Sequence, residues 1–211
     1  MALFRDRADA GARLAERLAH LRGQDALVVL GLPRGGVPVA AVVAESLGAP
    51  LDVVVVRKLG APQHPEYAVG AIGEGVRVVD EDAMTAMGVS VQEAERVEKR
   101  EREELARRVE RFRGERPRLD LRGTVALIVD DGIATGATAT AACQVVRALG
   151  ASRVIVAVPV APPDWEGRLR GVADELVAVE TPSPYFAVGQ WYDRFDQTSD
   201  DEVTELLARG R

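Results

Sequence analysis

A chain of 211 residues with net charge −6, 28% charged and 47% hydrophobic, has the balance of a water-soluble globular protein with ample apolar content for a core. The acidic surplus argues against broad nucleic-acid binding, which needs a basic surface, and no apolar run approaches the ~20 residues of a membrane span. One cysteine, Cys143, excludes an intramolecular disulfide, and the first residues lack the apolar core of a secretory signal, so a reducing cytoplasm is the expected setting.

In chain order, Asp6 or Asp9 caps a first helix running to about Leu21, with Leu14, Leu18 and Leu21 on one face. Residues 26–30 read as a buried strand. The glycine-rich loop Gly31-Leu-Pro-Arg-Gly-Gly36 enters a helix over 37–47 that Gly48 closes, and 51–56 is the next buried strand. Strand, helix and strand at this spacing make a βαβ unit with parallel strands. Paired glycines let backbone approach an anion, and Arg34 offers a forked donor, although a plain tight turn fits the loop equally well. Arg57 and Lys58 follow the second strand, at the end where open α/β sheets bind ligands.

Residues 60–66 are rich in loop formers, and 67–72 with 76–79 form a β-hairpin around Gly73-Glu-Gly75. A short helix over 82–87 precedes a long one from the cap Ser90 to about Arg113. Pairs Glu98–Arg102, Glu103–Arg107 and Glu104–Arg108 support the long helix, and Ala94, Val97, Leu105, Val109 and Phe112 make its apolar stripe. The stripe packs the helix on its own fold; a homodimer contact through Leu105, Val109 and Phe112 is the alternative.

Residues 125–129, Val-Ala-Leu-Ile-Val, are a buried strand that ends on two adjacent carboxylates, Asp130 and Asp131. The small loop Ala134-Thr135-Gly136-Ala137-Thr138 then runs into a helix over 139–149 closed by Gly150. A helix N-terminus with free N–H groups and two threonine hydroxyls is an anion site. Two acids beside it suit sugar hydroxyls or a divalent metal. A strand over 153–158, a helix opened by Pro162-Pro163 and a strand over 175–179 follow. Five of the nine aromatic residues then crowd the tail: Tyr185, Phe186, Trp191, Tyr192 and Phe195. They suit either a hydrophobic lock or a wall on which a nucleobase stacks. Asp200-Asp201-Glu202 caps the last helix.

The run Asp130-Asp131-Gly-Ile-Ala134-Thr135-Gly136-Ala137-Thr138 after a buried strand resembles the signature of the type I phosphoribosyltransferases, which use 5-phosphoribosyl-1-pyrophosphate (PRPP). The resemblance implies an α/β fold, a Rossmann-like open and mainly parallel sheet flanked by helices. It implies a single domain over 1–211, with a flexible loop and hairpin (57–80) as hood, the long charged helix (90–113) and a C-terminal tail (180–211). It further implies that Asp130 and Asp131 hold the ribose hydroxyls and that Ala134, Thr135, Gly136, Ala137 and Thr138 wrap the 5′-phosphate. Arg34, Gly35 and Gly36 with Arg57 and Lys58 would take pyrophosphate. Mg²⁺ would be held mainly through PRPP, with Asp130 and Asp131 as its protein ligands. The implied reaction moves the phosphoribosyl group to a nitrogen of a small-molecule acceptor, a nucleobase, with no part for nucleic acid or membrane.

One departure is informative. Members acting on hypoxanthine and guanine usually carry an aspartate where this chain has Ala134, so a general acid or base must come from elsewhere. Glu66, in the loop that such enzymes close over PRPP, is the local candidate, and Tyr185, Phe186 and Trp191 are candidates for the base side. A non-catalytic PRPP-binding regulator on the same fold is the competing reading.

Overall fold

Strands that are apolar on both faces need cover on both faces, and this chain alternates them with helices that supply it. The computed structural model describes residues 2–114 and 116–210, with Glu66 described by its backbone alone. The first half runs α1 (Arg7–Arg17), β1 (Leu27–Gly31), α2 (Gly36–Leu47), β2 (Leu51–Val53), β3 (Val56–Ala61), β4 (His64–Gly73), β5 (Val76–Val79), α3 (Glu81–Ala86) and α4 (Val91–Arg113). The second half runs β6 (Val125–Val129), α5 (Ala137–Ala148), β7 (Arg153–Val160), α6 (Trp165–Leu169), β8 (Glu175–Glu180) and α7 (Asp200–Arg209).

The expected α/β architecture is present. Five parallel strands pair in the order β2-β1-β6-β7-β8, with Leu27–Gly31 in register against Val125–Val129. On one face Leu14 of α1, Leu18 just after it, and Val39 and Val43 of α2 meet Val29 and Leu127. On the other, Cys143 and Val146 of α5 and Trp165 of α6 meet Ile128 and Val156. Cys143 is buried there, and burial pushes its thiol up to about 12, as suits a small core residue. Among the described residues no helix is long and apolar enough to cross a membrane.

Three expectations need correction. The second strand stops at Val53, and Arg57 and Lys58 lie inside β3 rather than in a loop beyond β2. The run Leu51-Asp-Val-Val-Val-Val56 is apolar across the boundary, so its pattern hides the handover between two sheets. Most of the expected 60–66 loop is also paired, and β3, β4 and β5 form a three-stranded antiparallel sheet of their own. Its register shifts at Gly60, where a Cβ would stand 2.6 Å from the Pro65 carbonyl oxygen, so only glycine allows that approach. The hairpin of 67–72 with 76–79 forms as expected, Ile72 opposite Arg77. At the far end, α7 is capped by Ser199, whose Oγ accepts from the Glu202 N–H; Asp200, Asp201 and Glu202 are its acidic first turn.

Helix α4 runs 23 residues between two anchors. At its start, Ser90 and Glu93 form a reciprocal capping box, the Ser90 N–H donating to Glu93 Oε2 over 2.9 Å. Ala94, Leu105 and Phe112 are buried against this chain, so the stripe is not a free face for a second copy. Glu98–Arg102 and Glu104–Arg108 pair as expected, but Arg107 turns to Glu104 at 2.6 Å. At its end, Arg113 donates through Nη1 to both Asp52 oxygens (2.7 and 2.8 Å) and through Nη2 to Glu74 and the Val53 carbonyl (2.9 Å each). Asp52 also accepts the N–H groups of Val53 and Leu119. One guanidinium thus joins the central sheet, the β4–β5 turn and the long helix.

Both partners of that pair are buried, so removing one strands the other's charge. Arg113→Met should destabilise the chain by about 3–5 kcal/mol and lower the midpoint of thermal unfolding on the order of 10 °C. Adding Asp52→Asn, which removes the orphaned charge and keeps an acceptor for one of the two N–H groups, should restore part of the loss in the same calorimetric scan.

Candidate active site

From β1 the chain crosses through α2 to one side of the sheet; from β6 it crosses through α5 to the other. The crevice beyond the ends of β1 and β6 is therefore the topological switch point, where such sheets bind ligands. The two loops that leave it are in contact, the Leu32 N–H donating to the Val129 carbonyl at 2.9 Å. A Cβ on Gly36 would stand 2.6 Å from that carbonyl oxygen, and one on Gly35 only 2.0 Å from Asp131 Oδ2. The glycine pair lets backbone pack against the chain's own carboxylate, a use that the loop sequence did not disclose.

Asp130 and Asp131 leave β6 side by side, Asp130 Oδ1 accepting the Asp131 N–H at 2.9 Å. Burial raises the pKa of Asp130 well above the usual carboxylate value, and the neighbouring charge of Asp131 adds to it. Burial also raises Asp131, opposed by Arg7, whose Nε and Nη2 meet Asp131 Oδ2 at 2.9 and 2.8 Å. Arg7 is itself held by the Asp196 carbonyl at 2.7 Å and stacks over the Phe195 ring at 4.1 Å. The Tyr192 hydroxyl donates to the Asp131 carbonyl at 2.6 Å. Sequence reasoning missed Arg7, Tyr192 and Phe195 in these roles, since contacts 124 and 61 residues apart leave no spacing signal.

Beyond the acids, Gly136 adopts φ +83°, a left-handed turn suited to glycine, and α5 starts at Ala137. The Ala137 N–H lies 3.4 Å from Thr135 Oγ1. Arg168 of α6, anchored by Asp164, donates to the Ala134 carbonyl at 2.7 Å and buttresses the loop from outside. Sequence reasoning missed Arg168; its i,i+4 spacing from Asp164 is a local signal, while its reach to Ala134 leaves none.

A cleft of about 650 Å³ opens beside the loops, lined among others by Arg57, Lys58, Thr135 and Thr138. Arg57 points its guanidinium at Glu101 of α4 (2.6 Å), and Arg34 faces Asp200 of α7 at 3.6 Å. In the tail the Tyr185 and Trp191 rings lie 6.1 Å apart, and burial pushes the Tyr185 phenol up to about 12, the charges of Asp131 and Asp130 adding to the effect. The Tyr185 hydroxyl and Trp191 Nε1 are the two buried side-chain polar atoms without a hydrogen-bond partner among the described residues. Phe186, expected with them, is 81% exposed. The backbone of Glu66 lies in β4, and its side chain falls outside the described residues.

A model of the phosphoribosyl transferase domain matches residues 4–193. The chain belongs to the phosphoribosyl transferase family. Two curated relatives from two strains of Mycobacterium tuberculosis, MT0597 and Rv0571c, whose names mark them provisionally as phosphoribosyl transferases, are each 59% identical over 210 residues. The match takes in 99% of this chain and 47% of each relative, so the chain spans about half the length of the curated relatives it matches. The crystal structure of TT1426 from Thermus thermophilus is 48% identical, with a TM-score of 0.91 over all of this chain and 99% of that one. A hypothetical protein from Neisseria gonorrhoeae, 16% identical with a TM-score of 0.50 over all of this chain and 97% of that one, shares the fold.

Phosphoribosyl transferases of this family use Mg²⁺ with PRPP. No group of three or more metal-binding side chains occurs among the described residues. The acid pair nevertheless fits such an ion, since two adjacent, half-buried carboxylates present hard oxygen donors, with Arg7 seated on Asp131.

The acid pair carries a stability cost that a substitution can reveal. A carboxylate whose folded pKa is raised destabilises the native state while ionised and recovers stability as pH falls through that pKa. Asp130→Asn keeps the acceptor for the Asp131 N–H and removes the charge. It should raise the unfolding midpoint at neutral pH by about 2–4 °C. That gain over wild type should shrink as the pH falls, in paired thermal scans from pH 8 to pH 5.

Proposed function

We propose that this chain is a phosphoribosyltransferase that moves the 5-phosphoribosyl group from PRPP to a nitrogen of a nucleobase and releases pyrophosphate. One observation supports this above all: the acid pair, the α5 N-terminus with its threonines and the glycine-pair loop converge on one switch point.

In this reading the N–H groups at the start of α5 and the hydroxyls of Thr135 and Thr138 take the 5′-phosphate. Asp130 and Asp131 accept the ribose 2′- and 3′-hydroxyl protons, and those hydrogen bonds offset the cost of burying two carboxylates. Gly35 and Gly36 offer backbone to the pyrophosphate, and Arg34, Arg57 and Lys58 surround it, Arg34 and Arg57 exchanging Asp200 and Glu101 for phosphate oxygens. When bound, Mg²⁺ supplies further charge neutralisation at the pyrophosphate, with Asp130 and Asp131 as the protein oxygens at hand.

The C1–O bond breaks with its electron pair going to pyrophosphate, where the arginines are placed to balance the growing charge. The ribosyl centre left behind is oxocarbenium-like, and the acceptor nitrogen's lone pair forms the new bond to C1. Tyr185 and Trp191 wall the base side. Glu66, on the hairpin that borders the cleft, takes the proton released by the acceptor nitrogen.

The test is pyrophosphate release from PRPP and Mg²⁺ across a panel of purines and pyrimidines. Release should occur with one acceptor and fall about 100-fold or more in Asp131→Asn. PRPP binding without release across the panel would replace the transferase with a PRPP sensor, and no PRPP binding would end the reading.

A further inference from the structure

The pyrophosphate side receives more positive charge than the glycine-rich loop and β3 supply. The cleft that holds Arg57 and Lys58 is also lined by Arg100 and Arg108 of α4. A second cleft of about 510 Å³ is lined by Arg34, Arg107, Arg108 and Arg111. Pro33 and Arg108 border both, so the two adjoin around the loop after β1. Positions 100, 104, 107, 108 and 111 share one face of a helix. Four acids stand among these cations, and each is already paired. Glu101 holds Arg57 and Arg100, Glu104 holds Arg107 and Arg108, Asp200 holds Arg34 and Arg111, and Asp201 also meets Arg111. Seven basic side chains against four acids, in a chain of net charge −6, make a local positive field of the kind that concentrates a polyanion.

We propose that α4 is the outer wall of the leaving-group site and that Arg108 binds the pyrophosphate moiety of PRPP. This deepens, and rests on, the phosphoribosyltransferase reading. Among the described residues Arg108 is the one arginine that borders both clefts, and its side chain is 42% exposed, free enough to turn toward a ligand. Its present partner, Glu104, keeps Arg107 at 2.6 Å when Arg108 turns away, so the exchange leaves no carboxylate alone. A guanidinium fork matches two phosphate oxygens, which an ammonium does not. The capping box at one end of α4 and the Arg113–Asp52 pair at the other hold the wall in place.

The test is isothermal titration of the full chain with three probes in the presence of Mg²⁺: inorganic pyrophosphate, PRPP and ribose 5-phosphate. Wild type is compared with Arg108→Gln, Arg108→Lys and Arg102→Gln. Arg102 lies on α4 outside both clefts, paired with Glu98, and controls for the lost net charge. Arg108→Gln should weaken pyrophosphate and PRPP about 10- to 100-fold, the range of one charge-assisted hydrogen bond. It should leave ribose 5-phosphate affinity and the unfolding midpoint unchanged. Arg108→Lys should retain part of the affinity, and Arg102→Gln all of it. Equal pyrophosphate affinity in Arg108→Gln and wild type, or equal losses in Arg108→Gln and Arg102→Gln, would overturn the assignment and leave the transferase reading standing. A wild-type chain that binds neither PRPP nor pyrophosphate would remove both.

Discussion

A guanidinium from the first helical turn makes it feasible to bury two neighbouring carboxylates at the mouth of a parallel sheet. Without Arg7, Asp130 and Asp131 would face each other's charge with only backbone donors for relief. The same side chain is clamped by the Asp196 carbonyl and the Phe195 ring, while Tyr192 holds the Asp131 backbone. The first helix and the aromatic tail therefore serve the centre of the fold. Phe4 and Tyr192, tilted against each other at 5.4 Å, carry the apolar half of the same junction.

A second ionic junction organises the other flank. Arg113 binds the central sheet at Asp52 and the turn of the antiparallel sheet at Glu74, so the end of α4 is tied to both. The cations that α4 turns toward the cleft thereby sit on a helix tied to both sheets at its C-terminal end and capped at its start.

Much of this was legible because it is local. The apolar run of β6, the acids at its end and the small loop into α5 lie within fourteen consecutive residues, and each follows from short-range chemistry. Ser90, Gly48 and Gly150 close or open their helices where their types predict. Legibility fails where one pattern spans two elements, as between β2 and β3, or where neighbouring residues compete for one role, as Ser199 and Asp200 do at the α7 cap. It fails again for Arg7, Arg168 and Arg113, whose partners lie far along the chain and are chosen by the folded surface. Phe186 was grouped with Tyr185 and Trp191 by proximity in sequence, yet the turn that carries them leaves its ring in water.

The reach of Arg7 bears on the order in which the molecule is finished. Its contacts span 124 residues to Asp131 and 189 to Asp196, among the longest loops the chain closes. A sheet whose five strands have paired, and whose two loops are already packed together, still lacks the counter-ion until α1 and the segment at Phe195 and Asp196 have docked. Under the proposed reading, a ligand on the acid pair would favour molecules in which α1 and the segment around Phe195 have already come together.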